Sequence, residues 1–295
     1  MTFRKFARIC AVCIVSVWLL SVVSFVVFQD AFLYPFDDRG VFAKPPKGFV
    51  AMVVEDGGFV AFKDATAVGE ASGPVRVWRA APEGVPRGRL MVLVGARGTP
   101  RTALSRAAPF VERGWEVVIV VYPGTVGTPG SPSQEELIRV SSEALSAFDG
   151  PPVIYGYSMG GALAVLLAAD EPVGGLLLEA PLAEIWPLVR GHAPWLAPVP
   201  FALSDPWDAL SAAPDVRAPV WVVHGVEDDV VPIEQGRLLA RALRTGIHEV
   251  VGGGHRNLPK LGLIEGLSEV AEAGQDGWWL AAQAAFPAKA VSIEP

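Results

Sequence analysis

The stretch that most constrains the fold is PPVIYGYSMGGALAVLLAAD, Pro151 to Asp170. One apolar run ends in Gly156-Tyr157-Ser158-Met159-Gly160. A second follows at once, with helical rather than alternating spacing. A lone serine between glycines at such a junction has a plain reading as part of a tight turn. It also has a chemical one. A sharp strand-to-helix turn lifts a serine hydroxyl above the sheet edge, beside the N-terminus of the next helix. The turn crowds the backbone, and Gly156, Gly160 and Gly161 give it the room it needs.

The same alternation runs through much of the chain. RLMVLVG, WEVVIVVYPG, PPVIYGYS, GGLLLEAP, APVWVVHG and IHEVVGGGH read as strands. RTALSRAAPFVERG, SPSQEELIRVSSEALSAFDG, MGGALAVLLAAD and IEQGRLLARALRT read as helices between them. Ser133, with Glu136 three residues on, reads as a capping box. Near-continuous apolar strands separated by helices predict an α/β fold, with a mostly parallel sheet covered on both faces. Upstream, Phe49 to Trp78 alternates short β-like runs with Gly-rich turns, which suggests antiparallel hairpins.

Ala183 to Pro214 breaks the pattern. Its 32 residues carry six prolines and three of the nine tryptophans. It is too long and too apolar for a plain connection and predicts a short cap at one end of the sheet. Trp186, Trp195 and Trp207 are either cap core or the lining of a substrate pocket. Trp195, midway along the cap and between prolines, is the expected limiting wall of a slot for short to medium acyl chains.

The N-terminus adds a different element. Ile9 to Phe28 is 20 residues without a charge. As a helix it spans roughly 30 Å, the thickness of the hydrocarbon layer. Arg4, Lys5 and Arg8 precede it, and Asp30, Asp37 and Asp38 follow. This predicts one transmembrane signal anchor, with a cytoplasmic N-terminus and the rest of the chain across the membrane. Secretion after signal cleavage is the alternative. The apolar run, however, exceeds the usual ~7–15 residues and lacks an A-x-A-like ending. The expected organisation is an anchor over 1–28, a linker over 29–48, one domain over 49–287 with its cap at 183–214, and a tail over 288–295.

Several classes fall away. Hydrophobic residues make up 51% and charged residues 19%, which argues against disorder. The net charge is -7 with no basic run beyond the anchor's flank, so no nucleic-acid partner is expected. Both cysteines, Cys10 and Cys13, lie inside the apolar segment. No thiolate, H-E-x-x-H or His-rich pattern remains, so no metal and no cofactor are expected.

A serine nucleophile needs a base, and the base needs an orienting carboxylate. In this strand-helix setting they follow in the order serine, acid, histidine, after later strands. APVWVVHG runs into VEDDVVP, and IHEVV runs into GGGHRN. Ser158, Asp228 and His255 are the candidates, all at C-terminal strand ends on one rim of the sheet. Glu227 and Asp229 flank Asp228 as alternatives. His224 ends a strand and reads as structural, and His192 and His248 have no visible partner.

With these residues in place, the sequence resembles the α/β-hydrolase superfamily, most closely its membrane-anchored Bem46 group. GYSMGG is similar to that group's elbow, HGVEDDVVP to its acid loop and GGGH to its histidine loop. GSPSQEEL and DPWDAL resemble further stretches. The likeness runs from Arg89 to the helix around Trp278, and the anchor also fits. It implies an α/β-hydrolase fold and a serine hydrolase that cleaves a small-molecule acyl ester or thioester. It places the acid at Asp228. The oxyanion donors would be the backbone N–H groups of Ala96 and Met159. One position departs: where the group carries His-Gly after the first core strand, this chain has Val94-Gly95. A serine peptidase on short peptides and a non-catalytic binding protein of the same fold are the alternative expectations.

Overall fold

The computed structural model describes residues 2–35, 45–61, 75–98, 100–125, 128, 130–196 and 202–261. The helix expected around Trp278 and the tail lie outside them. The apolar runs form the strands their boundaries suggest. Among the described residues nine strands make one sheet: β1 (Val50–Glu55), β2 (Gly58–Ala61), β3 (Arg76–Ala80), β4 (Arg89–Leu93), β5 (Glu116–Val121), β6 (Val153–Tyr157), β7 (Gly175–Glu179), β8 (Val220–Gly225) and β9 (Ile247–Val250). Their order across the sheet is β2-β1-β3-β5-β4-β6-β7-β8-β9. β1, β2 and β3 pair antiparallel, and β3 joins β5 antiparallel. Every pairing from β5 to β9 is parallel. β1 and β2 meet through Asp56-Gly57, both with positive φ (49° and 74°), the conformation a two-residue type I′ hairpin needs.

Both faces of the parallel strands are covered. Every position of β5 and β7 is buried, as expected of a sheet sandwiched between helices. The helices that follow the strands are α2 (Pro100–Glu112), α3 (Gln134–Ser146), α4 (Met159–Asp170) and α7 (Ile233–Ala242). Ser133 caps α3 by accepting from the Glu136 N–H at 3.1 Å. The Glu136 carboxylate turns to Arg139 instead of closing the capping box. After β4 the chain moves to β5 on one side; after β6 it moves to β7 on the other. The loops leaving β4 and β6 therefore part company, and the crevice between them is where open α/β sheets bind ligands.

The cap consists of α5 (Trp186–His192), a 3-10 turn at Pro194–Leu196, α6 (Ala209–Ala212) and a second 3-10 turn at Ala213–Asp215. The described pieces are short, as prolines at 187, 194, 206 and 214 favour. The later pieces, α6 and the second 3-10 turn, pack beside α4 and α7, so of the described cap it is the stretch around α5, together with Trp207, that stands at the rim.

The N-terminal helix α1 (Phe3–Leu33) is long and apolar enough to cross a membrane, with a mean hydropathy of 2.7 over its most apolar window. It runs five residues past the boundary expected at Phe28. The first residues of the expected linker are therefore helical, because they are docked. Gln29, Leu33 and Tyr34 are buried against the domain, and Trp18, Val22 and Phe25 pack on its core. The Gln29 side-chain carbonyl accepts from the Ser204 N–H at 2.9 Å. Below it, the Tyr34 hydroxyl donates to Asp205 and accepts from the Trp207 indole N–H at 3.1 Å. Asp205 and Gln134 tie this knot to the start of α3.

Candidate active site

The serine stands where β6 hands over to α4. Ser158 has φ 57° and ψ -122°, a conformation rare for any residue with a side chain. Its neighbours hold it there. The Ser158 N–H donates to the Glu179 carbonyl at 3.0 Å, and its own carbonyl accepts from Gly161 and Leu182. The elbow glycines are required by contact. A Cβ on Gly156 would lie 2.5 Å from the Gly160 carbonyl oxygen, and one on Gly160 would lie 2.3 Å from that of Leu93. Strand, turn and helix are pressed too closely for any side chain.

His255 arrives from the loop after β9. Its Nε2 lies 3.1 Å from Ser158 Oγ, and its Nδ1 lies 2.7 Å from Asp228 Oδ2. With the Nδ1 proton given to Asp228, Nε2 is left to accept from the serine hydroxyl. The ring also leans on Tyr157, with centroids 5.1 Å apart, and its carbonyl accepts from the Tyr157 hydroxyl at 2.9 Å. Burial pushes the Tyr157 phenol up to about 12, so it remains a donor at neutral pH. The loop after β8 supplies Asp228. Its Oδ1 accepts from the Val230 and Val231 N–H groups at 2.9 and 2.8 Å, and its Oδ2 faces His224 Nε2 at 3.3 Å as well as His255. Burial alone would raise this carboxyl; hydrogen bonds from His224, His255 and the backbone outweigh burial and hold it well below the usual carboxylate range. Glu227 and Asp229 are exposed, and the ring's partner is Asp228. His224 is buried behind the site with Nε2 on the Val231 carbonyl, so its structural reading agrees with its position.

A cavity of about 590 Å³ opens over Ser158. Ala96 and Met159 line it beside the serine. The loop that carries Ala96 is closed by the Gly98 N–H on the Gly95 carbonyl at 2.8 Å. Val94, where the resemblance would have a histidine, is buried: a Cβ on Gly98 would lie 2.6 Å from the Val94 Cβ, and the Val94 carbonyl accepts from the Tyr122 hydroxyl at 3.1 Å. Apolar packing thus seats this loop.

Of the three cap tryptophans expected at the pocket, Trp207 lines the cavity, but Trp186 and Trp195 do not. Trp195 is 51% exposed, and its carbonyl accepts from the Trp18 indole N–H at 2.8 Å. The turn at Pro194–Leu196 meets α1 through this carbonyl, and Trp195 lies outside the cavity lining, so it is not the limiting wall. Ile185, Leu188 and His192 of the cap take the places at the cavity.

Two features had little warning in the sequence. Arg106 makes a two-pronged ion pair with Glu179 at 2.6 and 2.7 Å, both side chains buried, and its guanidinium lies 3.9 Å from the Tyr157 ring centre. Tyr155 donates to the same carboxylate at 2.5 Å. The signal was Glu179 itself, a lone acid ending an apolar strand, which cannot be buried unpaired. The other feature is the end of α1, which brings Phe32 and Leu33 to the cavity.

A parallel sheet with a serine at the turn after a central strand, and an acid and a histidine following in chain order at later strand ends, defines the α/β-hydrolase class. Residues 91–212 match the model of the α/β hydrolase family. The chain has the α/β-hydrolase fold. An uncharacterised protein of Mycobacterium tuberculosis is 35% identical over 156 residues, covering 50% of this chain and 55% of that one. The α/β hydrolase domain-containing protein WAV2 of Arabidopsis thaliana is 26% identical over 137 residues, covering 39% of this chain and 44% of its own. The chain thus spans about half the length of the curated relatives it matches. Among solved structures, a Paleococcus ferrophilus monoacylglycerol lipase superposes with a TM-score of 0.54 at 18% identity, over 67% of this chain and 98% of that one. At that identity the likeness is one of fold.

Proposed function

We propose that this hydrolase is a membrane-anchored serine hydrolase that cleaves a carboxylic ester or thioester through an acyl-enzyme. The observation that carries the reading is the line of contacts from Asp228 Oδ2 through both nitrogens of His255 to Ser158 Oγ. His255 takes the serine proton as Ser158 Oγ attacks the acyl carbon. Asp228, kept ionised, holds the ring and stabilises its charged form. The N–H groups of Ala96 and Met159 receive the developing oxyanion. His255 returns the proton to the leaving alcohol or thiol. Water, activated by the same ring, then releases the acid. The α1 helix, with Arg4, Lys5 and Arg8 at its start, anchors the protein with those cations on the cytoplasmic side.

The test is a panel of p-nitrophenyl esters and acyl thioesters run beside amino-acid anilides. Esters or thioesters should turn over and anilides should not. Ser158→Ala should lower kcat by on the order of 10⁶, and Ser158→Ala/His255→Ala should lose little more, because such residues act as a unit. Anilide hydrolysis that exceeds ester hydrolysis would make the protein a peptidase.

A further inference from the structure

The way α1 docks bears on what reaches Ser158. Trp18, Val22, Phe25, Gln29 and Leu33 recur three or four residues apart and so share one helix face. That face lies against the domain. Arg8 precedes Trp18 by ten residues, about 15 Å along a helix. This is about half of a ~30 Å hydrocarbon layer. With the N-terminal cations held at one surface, Trp18 lies near the middle of the bilayer. Trp195, joined to Trp18 by its carbonyl, is then carried into the leaflet on the domain's side. Trp195 is half-exposed, and at that depth its apolar surface would meet lipid rather than water.

The cavity has matching chemistry. α1 and the cap give it Phe32, Leu33, Ile185 and Leu188, and Phe32 is 54% exposed at its edge. The loops after β4, β8 and β9 give it Arg97, Asp229 and Arg256, all exposed and charged.

We propose that the substrate is the acyl ester of a bilayer lipid, which enters sideways between α1 and α5 from the leaflet on the domain's side. This rests on the serine-hydrolase and anchor readings above. The acyl chain lies along the α1 and cap wall, and the polar part turns to the charged loops. The Ser158 Oγ–acyl bond forms as the bond to the lipid's alkoxide oxygen breaks. That oxygen takes the serine proton from His255. Water then splits the acyl-serine into fatty acid and free Ser158.

The experiment uses the full chain in phosphatidylcholine vesicles. A fluorogenic long-chain diacylglycerol ester is placed in the bilayer, p-nitrophenyl acetate is supplied from water, and an S-palmitoyl peptide is bound at the surface. The bilayer ester should be hydrolysed, and faster than the peptide at equal surface concentration. Trp195→Asp should lower bilayer-ester turnover at least tenfold and leave acetate turnover and fluorophosphonate labelling within twofold. Equal loss on both substrates, no loss on either, or preference for the peptide overturns the proposal. A fluorophore on Trp195→Cys, with Cys10 and Cys13 replaced by serine, should be quenched by mid-chain brominated lipid. Quenching by aqueous iodide instead overturns the proposal independently of turnover. Labelling and acetate turnover without lipid turnover sink this proposal alone; no labelling at all sinks it together with the hydrolase reading.

Discussion

At Ser158 the backbone is held in a conformation that costs on the order of 1–3 kcal/mol. Three backbone hydrogen bonds and two crowded glycines hold it there. The acid is equally well placed, since four groups converge on Asp228. Asp228→Asn should therefore lower kcat by roughly 10⁴, by analogy with the loss when a triad acid becomes its amide, while Asp229→Asn costs less than tenfold. Full activity in Asp228→Asn would remove it from the mechanism. A pH dependence goes with this. The folded-state value of Asp228 is depressed, so its contribution to stability is complete above the unfolded value near 3.9 and is lost as pH falls through the folded value. The gap in thermal midpoint between wild type and Asp228→Asn should be widest at neutral pH and shrink below about pH 4. A gap that stays constant into acid would mean that the carboxylate is not held by these partners. The candidate serine, acid and histidine were legible because each lies in a turn just after an apolar strand, the serine and histidine among glycines and Asp228 three residues beyond Gly225. The sequence could not show how Val94 serves where a histidine was expected, because that depends on Gly98 lying against it.

Among the elements, the strands were the most legible and the cap the least. Each core strand is an apolar run bounded by Gly or Pro, a signal contained in a few neighbouring residues. The course of the cap depends on contacts such as that between Trp18 and Trp195, 177 residues apart, which no local pattern encodes. Hence the sequence could not separate Trp207, which lines the cavity, from Trp186 and Trp195, which do not. The link between α2 and β7 is similar: Glu179 announces a buried charge, but only the fold names Arg106 as its partner. Arg106→Met leaves that carboxylate buried with Tyr155 alone. It should destabilise the protein by about 3–5 kcal/mol, measured by chemical denaturation. A loss under 1 kcal/mol would mean that water reaches Glu179 and the pair is not closed.

Across the whole molecule, α1 is both a hydrophobic helix and a wall of the cavity over Ser158. The cations before it predict a single orientation. Alkaline phosphatase fused after Gly48 should be active in a bacterial host, and a cytoplasmic fluorescent reporter fused there dark. The reverse pattern would invert the topology. The most direct test of Ser158 as the nucleophile is to treat the full chain with a fluorophosphonate and map the adduct by peptide mass spectrometry. One adduct, on Ser158, at a rate that collapses in His255→Ala, is the predicted result. No adduct, or an adduct on Ser158 formed equally fast without His255, would contradict the account.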